Sequence, residues 1–350
     1  MKPLDRVLDS RHAGLVLSVM TFLALAGLFF SLNGRHPLAI FQQIVVGGFG
    51  DSFALSVTLT KTIPIVLCAL AVALPARMGL VSVGADGQLY FGAMCGTAVV
   101  LAMSPATPGW ELLPLMVAAT CAGGFVWGGI AGSLRAYLGV NETIITILMN
   151  YIALRLVEYK VYGDWKDPSN LGWPATISFP HGARFPDLSL FGVATNYGLV
   201  VAALAAVALH YLVARSRWGF GLTLLRSNPR VALSAGVGYT RNVILVMGLG
   251  GLLAGLAGII QTANVQGHLQ PGISNNYGLA GFLVAWLAGQ RFVYILPIGL
   301  LMGALLAAGD ALQLFAQLPF SNTVVLQGLL FASVLAVTAW LRRRRAGQGG

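Results

Sequence analysis

The chain repeats apolar runs that are about as long as a lipid bilayer is thick. Only 9% of its 350 residues are charged, whereas 57% are apolar, and its mean hydropathy is +0.79. Hydrocarbon excludes both charge and unpaired backbone groups, so such runs cross a membrane as helices that satisfy their own hydrogen bonds. The sequence therefore predicts an all-α, polytopic integral membrane protein in which residues 1–350 form a single transmembrane domain.

Apolar windows of about 20 residues predict about ten transmembrane helices. Residues 13–30 are interpreted as an uncleaved first helix, because no A-x-A cleavage site follows them. The eighth window is short and is expected to be a broken or re-entrant element. The predicted helices lie near residues 13–31, 53–75, 81–103, 112–134, 140–158, 196–214, 242–261, 278–289, 293–309 and 322–340.

Most of the 21 lysine and arginine residues fall on one side of these helices when the N-terminus is placed inside. The positive-inside rule therefore predicts a bacterial inner-membrane protein with both termini in the cytoplasm. Residues 159–195 then form a periplasmic cap loop, and residues 341–350 form a basic cytoplasmic tail. Its four arginines at 342–345 are expected to act as a stop-transfer anchor beside anionic lipid. The basic residues are spread over short loops, which disfavours the alternative of nucleic-acid binding.

Two glycine-interrupted elements occupy corresponding places in the chain. One covers residues 78–88 after the second predicted helix, and the other runs from 267 to 281 after the seventh. Their opposite predicted orientations indicate an inverted repeat, and such breaks often line a transport path. The expected organisation is a first helix with an outer loop (12–52), a first repeat (53–158), the cap loop, a sixth helix with a cytoplasmic loop (196–241), and a second repeat (242–340).

Sequence signatures of an enzyme are missing. No lysine has the glycine spacing of a phosphate-binding loop, the five histidines form no metal-binding pair, and no Ser/His/Asp set can be recognised. The three cysteines lie inside apolar segments and are expected to be buried. Gly251 and Gly255 suit close helix packing. No catalytic, cofactor-binding or metal-binding residue is therefore predicted.

Two carboxylates in apolar surroundings require an explanation, because a charge inside a bilayer costs a few kcal/mol. Asp86 lies between two glycines, where it either caps the half-helix that follows it or lines a pathway with Gln88. Glu142 opens the fifth helix, where a carboxylate favours the helix N-terminus. The alternative for Glu142 is a polar wall shared with Asn150 and Tyr151.

The fifth helix also carries a polar stripe at helical spacing, which is expected to face the protein interior. Residues 141–143 match a glycosylation sequon, but their predicted place at the inner end of a helix disfavours that reading. The stripe consists of Asn141, Thr143, Thr146 and Asn150.

The longest inner loop, residues 215–237, contains a capped helix signal. Asn228 and Pro229 are typical of an N-cap and a first helical residue, and Gly236 is typical of a terminator. A helix start and stop outside the bilayer, with apolar residues between them, predicts docking into a groove of a partner protein.

Residues 84–89, 141–153 and 226–229 with 235–237 together resemble the permease subunits of bacterial ATP-binding cassette (ABC) importers. The similarity extends from about residue 50 to 340 and is strongest to permeases for nucleosides and simple sugars, within a branch that also serves branched-chain amino acids. Asp86 stands where the family pattern has glutamate. Residues 281–289 are bulkier than in the family, so a solute of different size or shape is expected if they line the route.

The resemblance implies alternating-access uptake of a small polar solute, with ATP hydrolysis on separate subunits. Its implied partners are two cytoplasmic ABC subunits, a second permease that is identical or different, a periplasmic or lipid-anchored solute-binding protein, and membrane lipid. The alternatives are a branched-chain amino acid permease, an ion-coupled secondary transporter, or a non-transport membrane scaffold. The expected pathway residues are Asp86, Gln88, Asn141, Glu142, Thr146, Asn150, Tyr151, Phe282 and Trp286, and the expected ATPase-coupling residues are Arg226, Asn228, Pro229, Arg230 and Gly236.

Overall fold

The computed structural model describes residues 11–170, 172–190 and 192–347. These residues are largely helical, with one two-stranded hairpin in the cap loop. The basic residues Lys2 and Arg6, and the last three residues of the basic tail, lie outside the described ranges. The helices are α1 (Arg11–Leu32), α2 (Pro37–Phe49), α3 (Ser52–Ala76), α4 (Ala85–Ala102), α5 (Gly109–Leu138), α6 (Glu142–Tyr162), α7 (Gly198–Arg215), α8 (Arg217–Ser227), α9 (Pro229–Ser234), α10 (Tyr239–Ile260), α11 (Tyr277–Leu287), α12 (Phe292–Phe315) and α13 (Ser321–Gly347).

Each of the ten predicted helices has a counterpart, which confirms the all-α membrane fold. Within the described residues, six helices are long and apolar enough to cross a bilayer, or seven if the bent pair α1 and α2 counts as one. The remaining predicted spans are shorter or less apolar; α11, for example, has only 11 residues. The expected count of about ten is roughly consistent with this fold: it lies between the six or seven full-length spans and the thirteen α-helices of the described residues.

Three local expectations are corrected by the structure. The interval expected to be an outer loop after the first helix contains α2, which begins at Pro37 and makes a 117° bend with α1. Helix α8, in the loop of residues 215–237, is not predicted by the sequence patterns. Helix α4 begins at Ala85 rather than near residue 81, because the preceding residues are held in an extended form by side chains of α6.

The described chain divides into two compact units. The first comprises the residues up to Thr58 together with those from Met302 onward. In this unit α1 packs against α2 and α13, and the Thr58 hydroxyl donates a hydrogen bond of 2.8 Å to the Gly48 carbonyl.

The second unit, Leu59–Leu301, has a core of α4, α5 and α10 in which glycines allow backbones to touch. A Cβ atom at Gly251 would lie 2.0 Å from the carbonyl oxygen of Gly124, and one at Gly92 would lie 2.4 Å from the Cα of Gly255. The predicted role of Gly251 and Gly255 in close helix packing is confirmed. This packing fixes the N-terminal end of α4, which carries the candidate site.

The cap loop is ordered by hydrogen bonds to the segment that follows α10. Thr176 N donates to Leu269 O at 3.0 Å, and Phe179 N donates to Gly267 O at 2.7 Å. The loop also contains a hairpin of β1 (Asp187–Leu190) and β2 (Val193–Asn196). The cap therefore covers the second glycine-interrupted element directly.

Candidate translocation junction and contact helix

The first helix break, between α3 and α4, is an extended segment whose backbone is paired by the polar stripe of α6. The amide of Val81 donates to Glu142 Oε1 at 3.0 Å, and the Thr143 hydroxyl donates to the Val81 carbonyl at 2.8 Å. Extended backbone inside a membrane protein needs partners of this kind, because hydrocarbon offers none. Glu142 also lies 3.2 Å from Arg135 Nε as an ion pair, although the angle is not that of a hydrogen bond.

The stripe continues one and two turns further along α6. The Thr146 hydroxyl accepts from the Val83 amide at 3.2 Å, and Asn150 Oδ1 accepts from the Gly87 amide at 2.8 Å. The side-chain amide of Asn150 also donates to the Val83 carbonyl at 2.8 Å. Asn150 thus pairs with backbone groups on both sides of the start of α4. The interior-facing stripe therefore stabilises the non-helical backbone of the break.

Asp86 joins the two broken elements. Its Oδ1 accepts a hydrogen bond from the Ser274 hydroxyl and another, at 2.9 Å, from the amide of Gly278 in the first turn of α11. A carboxylate at this place compensates unpaired amides and the positive end of the helix dipole. Asp86 therefore caps α11, and the expectation that it caps the half-helix following it is corrected.

Small residues allow α11 to pack closely against α3 and α4 at this junction. A Cβ atom at Gly278 would lie 2.5 Å from Asp86 Cγ, and one at Gly281 would lie 2.6 Å from the Cβ of Cys68 in α3. One face of α11 is consequently buried against α3 and α4. The opposite face carries Leu279, Phe282 and Trp286, and the rings of the two aromatics are 5.8 Å apart.

The other predicted pathway residues have different surroundings. Gln88 is buried next to the break. Asn141 is the exposed N-cap of α6, where its side chain accepts from the amide of Thr143 at 2.9 Å. Tyr151, the residue after Asn150, is 64% exposed. The predicted pathway residues therefore divide into residues of the junction, the exposed helix cap Asn141, and the outward-facing Tyr151, Phe282 and Trp286.

The predicted contact helix forms as α9, with Asn228 as its N-cap and Pro229 as its first residue. The Asn228 side chain accepts from the Val231 amide at 3.2 Å, and Gly236 has a φ of 78°, which suits glycine. Val231 and Leu233 are 49% and 57% exposed. This helix presents apolar side chains outward, as the sequence predicts for a docking segment.

Two side chains of α8, the helix that precedes α9, contact the rest of the second unit. Nη1 of Arg226 lies 3.4 Å from the Ala76 carbonyl at the end of α3 and 3.5 Å from Gln290 Oε1, just after α11. Nε1 of Trp218 in α8 donates to Asn242 Oδ1 in α10 at 2.8 Å. Helix α8, which precedes α9, is therefore connected to the end of α3, to α10 and to the residues that follow α11.

The structure brings in residues that the sequence analysis did not select. Ser274 donates a hydrogen bond to Asp86, and Trp218 donates one to Asn242. The only sequence feature that pointed to any of these residues was the group of glycines around residue 274, which marked a helix break. Within the described ranges, no group of three or more metal-binding side chains is present.

Comparisons with known proteins agree with this architecture. The family model described as branched-chain amino acid transport system / permease component matches residues 54–335. The chain therefore belongs to this family of membrane permeases, and the multi-pass fold follows from that membership.

Three relatives illustrate the similarity. The glucose ABC transporter permease protein of Haloferax volcanii is 31% identical over 95% of this chain and 89% of its own length. The guanosine ABC transporter permease protein of Bacillus subtilis is 30% identical over 83% of both chains. The nucleoside ABC transporter permease protein of Lactococcus lactis is 29% identical over 78% of this chain and 75% of its own length.

Proposed function

We propose that this chain is the membrane-spanning subunit of an ABC importer that moves a small polar solute, a nucleoside, sugar or related compound, into the cytoplasm. The observation that carries the proposal is the family match over residues 54–335, joined to a junction of two broken helices in which polar side chains pair with backbone groups. Relatives named for glucose, guanosine and nucleosides favour this solute class over branched-chain amino acids.

The chain acts with partners in this proposal. Two ABC subunits on the cytoplasmic side bind and hydrolyse ATP, a second permease completes the pathway, and a periplasmic or lipid-anchored protein delivers solute. Both termini lie in the cytoplasm of an inner-membrane protein. In this proposal the chain itself performs no covalent chemistry, because ATP hydrolysis takes place on the separate ABC subunits.

The transport route in this proposal runs along the outward face of α11, at the interface with the second permease. Phe282 and Trp286 line it, and Tyr151 contributes from α6. Asp86 and the α6 stripe hold the N-terminal ends of α4 and α11 together behind this face. Opening and closing of the route is then a movement of α11 with its neighbours, as in alternating access.

Helix α9 couples this movement to ATP in the proposal. Its exposed Val231 and Leu233 dock into a groove of the ABC subunit. Because Arg226, in the adjoining α8, reaches the end of α3 and Gln290 shortly after α11, a displacement of α9 is passed through α8 to α3 and α11. Arg230 and Gly236 belong to the same contact segment.

Solute uptake into proteoliposomes tests the proposal. Vesicles containing the chain, its ABC subunits and its binding protein should accumulate labelled guanosine or glucose only with hydrolysable ATP on the ABC side. Vesicles with this chain alone should accumulate neither. Uphill uptake by the chain alone, or uptake abolished by dissipating the proton gradient while ATP remains, would instead establish an ion-coupled transporter.

A further inference from the structure

A cavity of about 510 Å³ lies where α3 ends, α7 meets α8, and α12 begins. Its polar wall is formed by Arg77, His210, Thr223, Arg291 and Tyr294. These residues belong to the ends of the helices that the positive-inside rule places at the cytoplasmic surface. The cavity is separate from the junction of α4 and α11.

The charge around this cavity is positive and uncompensated. Arg226, which reaches the end of α3, adds a third cation close to Arg77 and Arg291. In the part of the chain that the structure describes, none of these three arginines forms an ion pair with a carboxylate. Burial, together with the charges of Arg226 and Arg291, lowers the pKa of the Arg77 guanidinium, which still remains charged at neutral pH.

The guanidinium groups are held in place but retain free donors. Arg77 lies over the Phe292 ring at 5.0 Å, and Arg291 lies over the Tyr294 ring at 5.9 Å. The buried Nε of Arg77 has no hydrogen-bond partner. That atom is not accessible from the cavity, so an anion there would be met by the terminal nitrogens of the guanidinium groups.

The remaining wall is apolar. Val213 and Ala214 come from the last turn of α7, and Val293 comes from the first turn of α12. A freely soluble anion gains nothing from such a wall, whereas the glycerol and upper acyl groups of a lipid would pack against it. Planar guanidinium groups match the oxygens of a phosphate, which they bind through paired hydrogen bonds.

We propose that this cavity binds the phosphate of an anionic phospholipid at the cytoplasmic surface of the bilayer. Arg77 and Arg291 hold the phosphate, Thr223 and Tyr294 offer further hydrogen bonds, and the apolar wall receives the lipid backbone. The proposal depends on the membrane setting of the family and not on the solute or the ABC partners, so it can fail while the proposed function holds.

Native mass spectrometry of the full chain in mild detergent tests this proposal. Phosphatidylglycerol should remain bound, phosphatidylcholine should not, and excess inorganic phosphate should fail to displace the bound lipid. The double variant Arg77→Gln with Arg291→Gln should bind phosphatidylglycerol about 30-fold more weakly. A matched control, Arg217→Gln with Arg241→Gln, removes the same charge from exposed positions outside the cavity and should bind as the unmodified chain does.

A second variant covers the case in which the glutamine variant does not fold. Ala214→Trp fills the cavity from its apolar side and leaves every arginine in place, so it should also lose the bound lipid. The proposal is overturned if phosphatidylglycerol is not retained, if both arginine pairs weaken it equally, if Ala214→Trp has no effect, or if inorganic phosphate replaces the lipid.

Discussion

Replacing Asn150 by leucine, whose side chain branches at the same carbon but carries no polar group, tests whether the polar stripe supports the first helix break. The change removes the acceptor for the Gly87 amide and the donor to the Val83 carbonyl, both at 2.8 Å. An average interhelical hydrogen bond in a membrane contributes only about 0.6 kcal/mol, because the separated helices find other partners. A buried backbone group left without a partner costs about 1–3 kcal/mol.

The second figure applies here, because Val83 and Gly87 flank a break in which neither group has a partner within its own helix. We therefore expect Asn150→Leu, which leaves two such groups, to lower the free energy of unfolding by about 2–6 kcal/mol. Asn150→Asp keeps the acceptor for Gly87 but turns an oxygen towards the Val83 carbonyl, so it should lose at least half as much.

Reversible unfolding in bicelles, followed by steric trapping or denaturant titration, measures these differences. The control is Leu148→Ala on the exposed face of α6, which should change stability by no more than about 0.5 kcal/mol. If Asn150→Leu is no more destabilising than this control, the stripe does not support the break, and a role in contacting solute becomes the better explanation.

Three further predictions concern other contacts. Asp86→Asn keeps an acceptor for α11 and should leave the purified protein monodisperse, whereas Asp86→Leu should lower its melting temperature, as measured by fluorescence-detected gel filtration. Gly251→Val places carbon atoms against the Gly124 carbonyl and should abolish the folded species in the same assay, whereas Gly129→Ala, which meets nothing within 4 Å, should be tolerated. Hydrogen bonds from Ser169 lower the pKa of Asp167 in the cap loop, so their stabilising effect, present above the ordinary aspartate pKa, is lost as the pH falls through the lowered value. The hydrogen-exchange protection of residues 167–170 and 172–175, measured relative to the intrinsic exchange rate at each pH, should therefore fall at low pH, and Asp167→Asn should remove that dependence.

The sequence predicts the features that local patterns encode. Apolar length locates the ten main helices, the glycine-rich segments locate both broken elements, and Asn228 with Pro229 locates the start of α9. These signals depend on neighbouring residues along the chain, so a single sequence suffices to read them.

Pairing across the fold could not be predicted in the same way. The polar stripe of α6 was recognised as facing inward, but its partners are backbone groups of residues 81–87, which carry no side-chain signal. Asp86 likewise caps α11, which lies nearly 200 residues away in the chain. From the sequence, the arginines near the cavity indicate only the orientation of the helices in the membrane. They come together in space because the helix ends assemble there, which no local pattern encodes.

The ratio of solute transported to ATP hydrolysed tests the central claim most directly. In proteoliposomes of the complete transporter, the double variant Asn228→Ala with Pro229→Ala removes the cap and the first residue of α9. We expect ATP hydrolysis to continue while uptake falls, so that the ratio collapses although the protein remains in the membrane. An unchanged ratio in this variant would contradict the claim that the ABC subunits drive transport through α9.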